Sequence, residues 1–351
     1  MLNWRLLVSA LMAALISTVG LANPQICLLA DVERLQNACI YNEILGQSIS
    51  KDDAKVIDKR LKFSGYRQGL RINSDVSNWF FSKSITPMIF YSDNLNGGNA
   101  NKTLTLGGIP FSSDDSFKKK EGILLGAEIN IDGRYIYGEQ QYVEVSAYNS
   151  FAKGLSEPFT IKTTNINMCS MNHISNSLYA DLCLGNFGEH KKLSQNKYQN
   201  VALNLSKIIT DNRSNYLNGY FGVQRYLSQN YSQNRILIGI DMINQKLGAS
   251  GIEVLFGDPV NQNLATRASL RVSNTSKFNG KPLKISVSRT WADGGIILGN
   301  LYRQLKTSVE FKYPITERLA ITFGASKTSS NIGYFESESP YVKFEFLKHT
   351  F

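Results

Sequence analysis

Tyr341-Val-Lys-Phe-Glu-Phe-Leu-Lys-His-Thr-Phe351 is the stretch that decides the fold. Extended, it puts Val342, Phe344 and Phe346 on one side and Lys343 and Glu345 on the other. Such a strand needs an apolar medium against one face and water against the other, as in the wall of a membrane barrel. The chain then stops on an aromatic residue, as many bacterial outer-membrane barrels do, and a terminal strand ending in Phe351 is the expected handle for barrel-assembly machinery. Phe351 is out of step with Val342, Phe344 and Phe346, so a bulge near Leu347 is expected to restore the phase.

The other end of the chain is consistent with export. Met1-Leu-Asn-Trp-Arg5 supplies a short positive region, Leu6 to Val19 is apolar, and Gly20-Leu21-Ala22 fits a small-x-small cleavage site. Residues 1–22 are therefore expected to be a signal peptide, too short for a spanning helix. Pro24-Gln25-Ile26 lacks the small residues that precede a lipidated cysteine, so Cys27 is not read as a lipid attachment site.

Between these ends two rhythms follow one another. Over 23–79, Ile26, Leu29, Ala30, Leu35, Ile40 and Ile44 recur at helical spacing, and Ser50-Lys-Asp-Asp53 resembles a capping box. This predicts a short periplasmic helical segment, either a stalk or a plug at the barrel mouth. From about residue 80 the period becomes two. Ile123, Leu125, Ala127, Ile129 and Ile131 alternate with Leu124, Gly126, Glu128 and Asn130, and Asp132-Gly133 reads as a hairpin turn. Later rows repeat the alternation at Ile236–Met242, Ala268–Val272, Leu283–Val287 and Leu305–Tyr313, with Pro314 as a breaker before Leu319 resumes it. Weaker segments are Ser84–Tyr91, Leu155–Asn165, Ser175–Phe187, Tyr216–Leu227 and Gly251–Phe256. Segment lengths sit near the roughly 9–11 residues of a tilted membrane strand. They predict an all-β fold over 80–351: a transmembrane antiparallel β-barrel of about fourteen strands, an even number as in single-chain bacterial barrels. A slightly negative mean hydropathy fits, since every second strand residue is polar.

The formal net charge of +10 is compatible with basic loops beside anionic lipid headgroups, or with a basic lumen that attracts acidic cargo. No helix-turn-helix, zinc-finger or RNP-like pattern points to nucleic acid. The lumen-phase charged residues are Arg267, Arg271, Lys284, Lys306, Glu310, Lys312, Lys343 and Glu345. Individually they could simply brace the barrel by pairing, and as a set they could fix cargo or ion preference. The four cysteines fall into two local groups, and in an oxidising compartment the simplest pairing is Cys27–Cys39 and Cys169–Cys183. Twelve helical residues would hold Cys27 and Cys39 roughly 18 Å apart, so a turn near Arg34 to Asn37 is required; the second bridge is expected to pin a loop entering the Ser175 strand. Three histidines and no Cys/His cluster of zinc spacing give no metal or cofactor site.

With the strands placed, the chain resembles the barrel domain of the surface lipoprotein assembly modifier family over about residues 80–351. Tyr91-Ser-Asp-Asn-Leu-Asn96 is similar to that family's Asp-Ser-Asn-x-Asn stretch after the first strand. Thr103-Leu-Thr-Leu-Gly-Gly-Ile-Pro-Phe111 stands in place of its Leu-Gly-Pro-Phe pattern, and Ser329-Ser-Asn-Ile-Gly-Tyr334 resembles its Ser-Asn-Ile-x-x-Tyr before the closing strand. The resemblance implies an outer-membrane translocator that assists a secreted or lipid-anchored cargo to the cell surface, without catalysis. The chain departs from the family in having only about forty residues where the family carries helical repeats.

Two alternatives stand beside that reading. One is a general diffusion porin. The other is an outer-membrane lipid acyl hydrolase: His173-Ile-Ser-Asn176 resembles the His-x-Ser-Asn core of outer-membrane phospholipase A and lipid A deacylases. On a strand His173 and Ser175 would share a face, so the imidazole could take the hydroxyl proton. Ser177 stands where those enzymes have glycine or alanine, and no third residue is evident to orient His173.

Overall fold

A computed structural model describes residues 24–44, 57–58, 60–65 and 78–346, apart from 100, 102, 107, 108, 113, 212–214, 245, 298, 317 and 318. The signal-peptide stretch, the Ser50–Asp53 capping box, Leu347 and Phe351 lie outside these residues.

Fourteen antiparallel strands close into one barrel. The first is β1 (Trp79–Ser92). The loop after it carries a small hairpin, β2 (Thr103–Leu106) and β3 (Ile109–Ser112), that stays out of the wall. The wall continues with β4 (Gly122–Gly138), β5 (Gln141–Gly154), β6 (Thr160–Ser175), β7 (Leu178–His190) and β8 (Gln195–Asp211). It goes on through β9 (Asn215–Ser228), β10 (Ser232–Asn244), β11 (Gly248–Gly257), β12 (Ala265–Phe278) and β13 (Lys281–Ile297). The last strands are β14 (Asn300–Pro314), β15 (Leu319–Ser330) and β16 (Ser337–Phe346). β16 returns to β1 through Ile89–Phe344, Phe90–Lys343 and Tyr91–Val342.

The outer face is apolar and exposed: Leu182, Leu184, Val201, Leu203, Ile236, Ile238 and Ile240 all stand off the wall, while the residues between them turn inward. An apolar band this continuous on a closed barrel is stable only in lipid. The chain is a transmembrane β-barrel of the bacterial outer membrane. Both barrel ends and the tight turns, such as Glu139–Gln140, Asn176–Ser177 and Asn279–Gly280, lie at one rim, which is periplasmic by that geometry. Longer connections, including 93–121, lie at the extracellular rim.

Several boundaries differ from the sequence reading. Asp132 and Gly133 are not a turn. They sit inside β4, paired to Ser82 and Phe81 on one side and Ser146 and Val145 on the other. The alternation never breaks there: Asp132 continues the inward row of Glu128 and Asn130, and the strand turns at Glu139–Gln140, where Gln140 has φ 53°. The segments expected at Leu155–Asn165 and Ser175–Phe187 are one hairpin, β6–β7, turning at Asn176 and Ser177, whose φ of 43° and 63° suit a two-residue turn.

Inside the periplasmic rim lies the N-terminal segment. A 3-10 helix, Pro24–Leu29, leads through Ala30–Val32 into α1 (Glu33–Ile44), and a second helical stretch lies within 57–63. Cys27 bonds Cys39, with Cα atoms 5.5 Å apart. The reversal that this bridge requires falls at Ala30–Val32, before α1, rather than at Arg34–Asn37, which is helical. Cys27, Leu29, Leu35, Cys39 and Ile40 pack into one core with Tyr179, Ile208, Tyr216, Ile243 and Ala249 from the inner faces of β7–β11. The segment is thus a plug seated in the barrel rather than a stalk.

Candidate functional site

The lumen is the place where chemistry-bearing residues converge. Its periplasmic floor is the start of α1 and the residues before it. Arg34 donates to both Asp181 oxygens at 2.7 Å, and its guanidinium lies 4.2 Å from the centre of the Tyr179 ring. Arg134 of β4 donates Nη1 to Glu33 Oε1 and Nη2 to Glu33 Oε2, each at 2.9 Å, and Nε to Glu144 at 2.9 Å. Its guanidinium is sandwiched between the Phe63 and Tyr142 rings at 3.9 and 4.1 Å, and also binds the Phe63 carbonyl. Lys284 of β13 donates to both oxygens of Asp31 at 2.8 Å. Three consecutive plug charges among Asp31, Glu33 and Arg34 therefore reach β13, β4 and β7, three separate sectors of the wall.

Asp31, Glu33 and Arg34 form the floor of a cavity of about 610 Å³. Arg271 and Lys284 line one side of it, and Glu144 and Asp181 another. The inward charges are unevenly spread around the ring. Cations predominate on β12–β14, with Arg267, Arg271, Lys284, Lys306 and Lys312 beside Glu310. Carboxylates predominate on β4, β5, β7, β10 and β11, with Glu128, Asp132, Glu144, Asp181, Asp241 and Glu253 beside Arg134.

The eight lumen-phase residues picked from sequence occupy one arc, β12–β16. Arg267 sits at a break in the β12–β13 register and pairs with Asp293 at 3.4 Å. Arg271 lines the cavity and Lys284 holds the plug. Glu310 accepts from the Tyr341 hydroxyl at 2.6 Å. Lys312 bonds Glu345, and Lys343 lies 3.4 Å from Glu345 and 3.9 Å from Glu128, where the two arcs meet beside β1. Lys306 shares the inward row of Ser308 and Glu310 and is exposed to the lumen. Sequence reasoning missed Arg134, Glu33, Arg34 and Asp181, the residues that fix the plug.

Cys169 and Cys183 do bond, but no loop is involved. They are direct cross-strand partners on β6 and β7, Cα atoms 4.1 Å apart, on the lumen side. Ile166, Met168, Leu182 and Leu184 occupy the lipid side of the same hairpin. The His173–Ser175 pair gains no support from its placement. A register shift separates the two residues, the His173 ring lies tilted against Tyr179 with centroids 5.1 Å apart, and both lie at the periplasmic turn. No hydrogen bond joins them among the described residues.

At the extracellular mouth the loop 93–121 folds inward. Leu95 is fully buried against Met88, Leu124, Ala152 and Ile161, inward residues of β1, β4, β5 and β6. Asn96 knits the loop, donating to the Lys118 carbonyl at 2.8 Å and accepting from the Lys120 amide at 3.0 Å. Its carbonyl accepts from the Leu193 amide of the β7–β8 connection. Asn99 donates to the Tyr334 hydroxyl at 2.7 Å, and Asn101 donates to the Gly333 carbonyl at 2.7 Å. Asn99 and Asn101 of the loop after β1 and Gly333–Tyr334 of the loop before β16, far apart in sequence, thus meet at the mouth beside the β1–β16 seam.

No protein-family model matches the chain, and comparison with curated proteins finds no match. Among solved structures, it is similar to OpdQ of Pseudomonas aeruginosa at 10% identity, covering 77% of this chain and 97% of that one, with a TM-score of 0.39. For OccAB4 of Acinetobacter baumannii the values are 10%, 77%, 97% and 0.41. For the outer membrane protein OprD of P. aeruginosa they are 8%, 79%, 94% and 0.39. Likenesses this low carry no argument about activity, which rests on the lumen itself.

Proposed function

We propose that this barrel is a diffusion channel for small polar solutes, constricted at the periplasmic end by its own N-terminal segment. The observation that carries this reading is the cavity of about 610 Å³, lined by Arg271 and Lys284 of β12 and β13, by carboxylates Glu144, Asp181, Asp241 and Glu253 of β5, β7, β10 and β11, and by Arg134 of β4. Opposed arcs of unlike charge create a transverse field that orients dipolar and zwitterionic solutes. A packed structural core would have no use for so many inward ionisable groups. The plug is held by ion pairs and a modest apolar core, and both disulfides lie within plug or wall rather than between them, so its displacement would widen the path. The test is single-channel conductance in planar bilayers, for the whole chain and for a chain lacking residues 24–65. A large rise on removing the plug is expected. A folded, plug-less barrel that conducts nothing would sink the reading.

A second reading, surface display of a secreted or lipid-anchored protein, follows the resemblance noted above and is favoured by one observation. β1 and β16 close the barrel through a seam registered over Ile89–Phe344, Phe90–Lys343 and Tyr91–Val342, far shorter than the β1–β4 ladder that runs from Trp79 to Ser92. A short closing seam is suited to lateral opening. Loss of one specific protein from the cell surface on deletion, with its cellular level unchanged and small-solute uptake unaffected, would favour display over diffusion.

A further inference from the structure

The outer wall is not uniformly apolar. Along β6–β8 the lipid-facing rows run Ile166 and Met168, Leu182 and Leu184, Val201 and Leu203. Toward the extracellular rim each row turns polar on the same face: Lys162 and Thr164, Asn186 and His190, Lys197 and Gln199. At the centre of this patch is Gly188, paired with Thr164 on one side and Lys197 on the other. A Cβ placed on Gly188 would meet only the Cγ of Lys197, at 3.9 Å. The missing side chain leaves a notch in the wall, part of a concavity of about 750 Å³.

The charge in the notch is of one sign. Lys162 and Lys197 flank it, His190 stands above it, and neither lysine has a carboxylate partner among the described residues. The lining carboxylate, Glu189, belongs to the inward row and faces Lys191 at 3.7 Å. On the inner side the wall is backed by the stacked rings of Phe187 and Tyr198, with Tyr226 beyond, so the notch opens outward. A cationic, hydrogen-bonding notch directly above a smooth apolar strip fits an amphiphile with an anionic head and several acyl chains. Lone surface lysines would snorkel to water; here Lys197 runs beside the Gly188 notch, and Lys162 lines the same concavity with its ammonium 5.8 Å from the Phe151 ring.

We propose that this notch binds the phosphorylated headgroup of an outer-leaflet lipid, its acyl chains lying along Ile166, Met168, Leu184 and Val201. Lys162 and Lys197 supply charge to the phosphate, as basic groups near a membrane surface do. Thr164, Asn186 and Gln199 offer hydrogen bonds to neighbouring sugar or glycerol oxygens.

The experiment is native mass spectrometry of the whole purified chain with diphosphorylated lipid A and with the same lipid after phosphatase treatment. Retention of the phosphorylated lipid, lowered roughly tenfold or more in Lys162→Gln/Lys197→Gln, is the expected result. Gly188→Leu, which fills the notch from an unobstructed position, should lower it as well. Arg289→Gln, an outward cation on β13 across the barrel, serves as the control and should leave retention unchanged. Heat-modifiable migration of each variant reports that the barrel is intact. Equal retention of the dephosphorylated lipid, an equal effect of Arg289→Gln, or unchanged binding in the double variant would each overturn the proposal. So would full displacement of the lipid by millimolar inorganic phosphate, which would make the notch a phosphate site without a lipid.

Discussion

Arg134 holds Glu33 through two parallel hydrogen bonds of 2.9 Å, one guanidinium nitrogen to each carboxylate oxygen, across the boundary between wall and plug. Arg134 is 4% exposed and has Glu144 as a second anion, so it stays neutralised when Glu33 is lost. Glu33→Gln should therefore weaken plug docking by only about 1–2 kcal/mol, while Arg134→Met strands Glu33 and Glu144 together and should cost more. Open-channel residence in bilayers should rise in the order wild type, Glu33→Gln, Arg134→Met. Identical residence in all three would remove this pair from the latch.

The same pair sets an expected pH response. Burial pushes the Glu33 carboxyl up, but the hydrogen bond and charge of Arg134, the Ser64 hydroxyl and the charge of Arg60 outweigh it and hold it below its ordinary 4.5. A carboxyl with a depressed pKa in the docked state stabilises docking fully above the undocked value and loses that contribution as pH falls through the docked one. Conductance should thus climb on acidification below pH 4.5 in the wild type. Glu33→Gln should lack that part of the response, which a titration of conductance against pH would show.

The two disulfides should behave differently. Cys27–Cys39 ties the 3-10 helix to α1 at a sequence separation of 12, inside the plug's apolar core, so reduction loosens that core. Cys169 and Cys183 are already cross-strand partners in a hairpin closed by the Asn176–Ser177 turn, and the bridge removes little further loop entropy. Cys27→Ser/Cys39→Ser should raise conductance, and Cys169→Ala/Cys183→Ala should leave conductance and thermal stability nearly unchanged.

How far the sequence could be read is clearest along β4. The period-two rhythm from Ile123 to Ile131 was legible because lipid outside and water inside demand opposite side chains at every step. The rhythm does not stop at Asp132-Gly133. Reading that dipeptide as a turn lost the phase that puts Arg134 in the lumen, and with it the latch. Local turn chemistry was outvoted by two neighbouring strands, β1 and β5, which pair straight through the position. The lumenal partners Arg34 and Asp181 are 147 residues apart, and no local pattern announces a contact of that range. The cysteines, in contrast, carried their pairing in their spacing, although not the secondary structure around them.

At the other mouth, Leu95 is the anchor of the loop 93–121. Leu95→Ala removes a fully buried side chain from a small satellite core and should cost about 2–4 kcal/mol of loop docking, without touching the wall. Limited proteolysis on intact cells should then cut within the loop faster than in the wild type, while heat-modifiable migration stays the same. Equal cleavage rates would mean that Asn96, Asn99 and Asn101 hold the loop without it.

The excess of lumenal cations on β12–β14 should appear as ion selectivity. Arg271 lines the cavity and Lys306 stands in the same cationic arc, on β12 and β14, and neither takes part in the plug contacts described above. Reversing both, Arg271→Glu with Lys306→Glu, turns two attractive positions for anions into repulsive ones while leaving Arg134, Arg34 and Lys284 on the plug. Exposed inward charges act through the local potential, so the effect should be largest at low ionic strength and fade as the Debye length shrinks to a few ångströms near 1 M salt. The reversal potential measured across a tenfold KCl gradient should shift toward the cation-selective value in the double variant. Replacing outward Arg289 instead should not move it, because a charge on the lipid side of the wall does not face the path. A reversal potential unchanged by Arg271→Glu/Lys306→Glu at low salt would mean that ions do not pass along this arc.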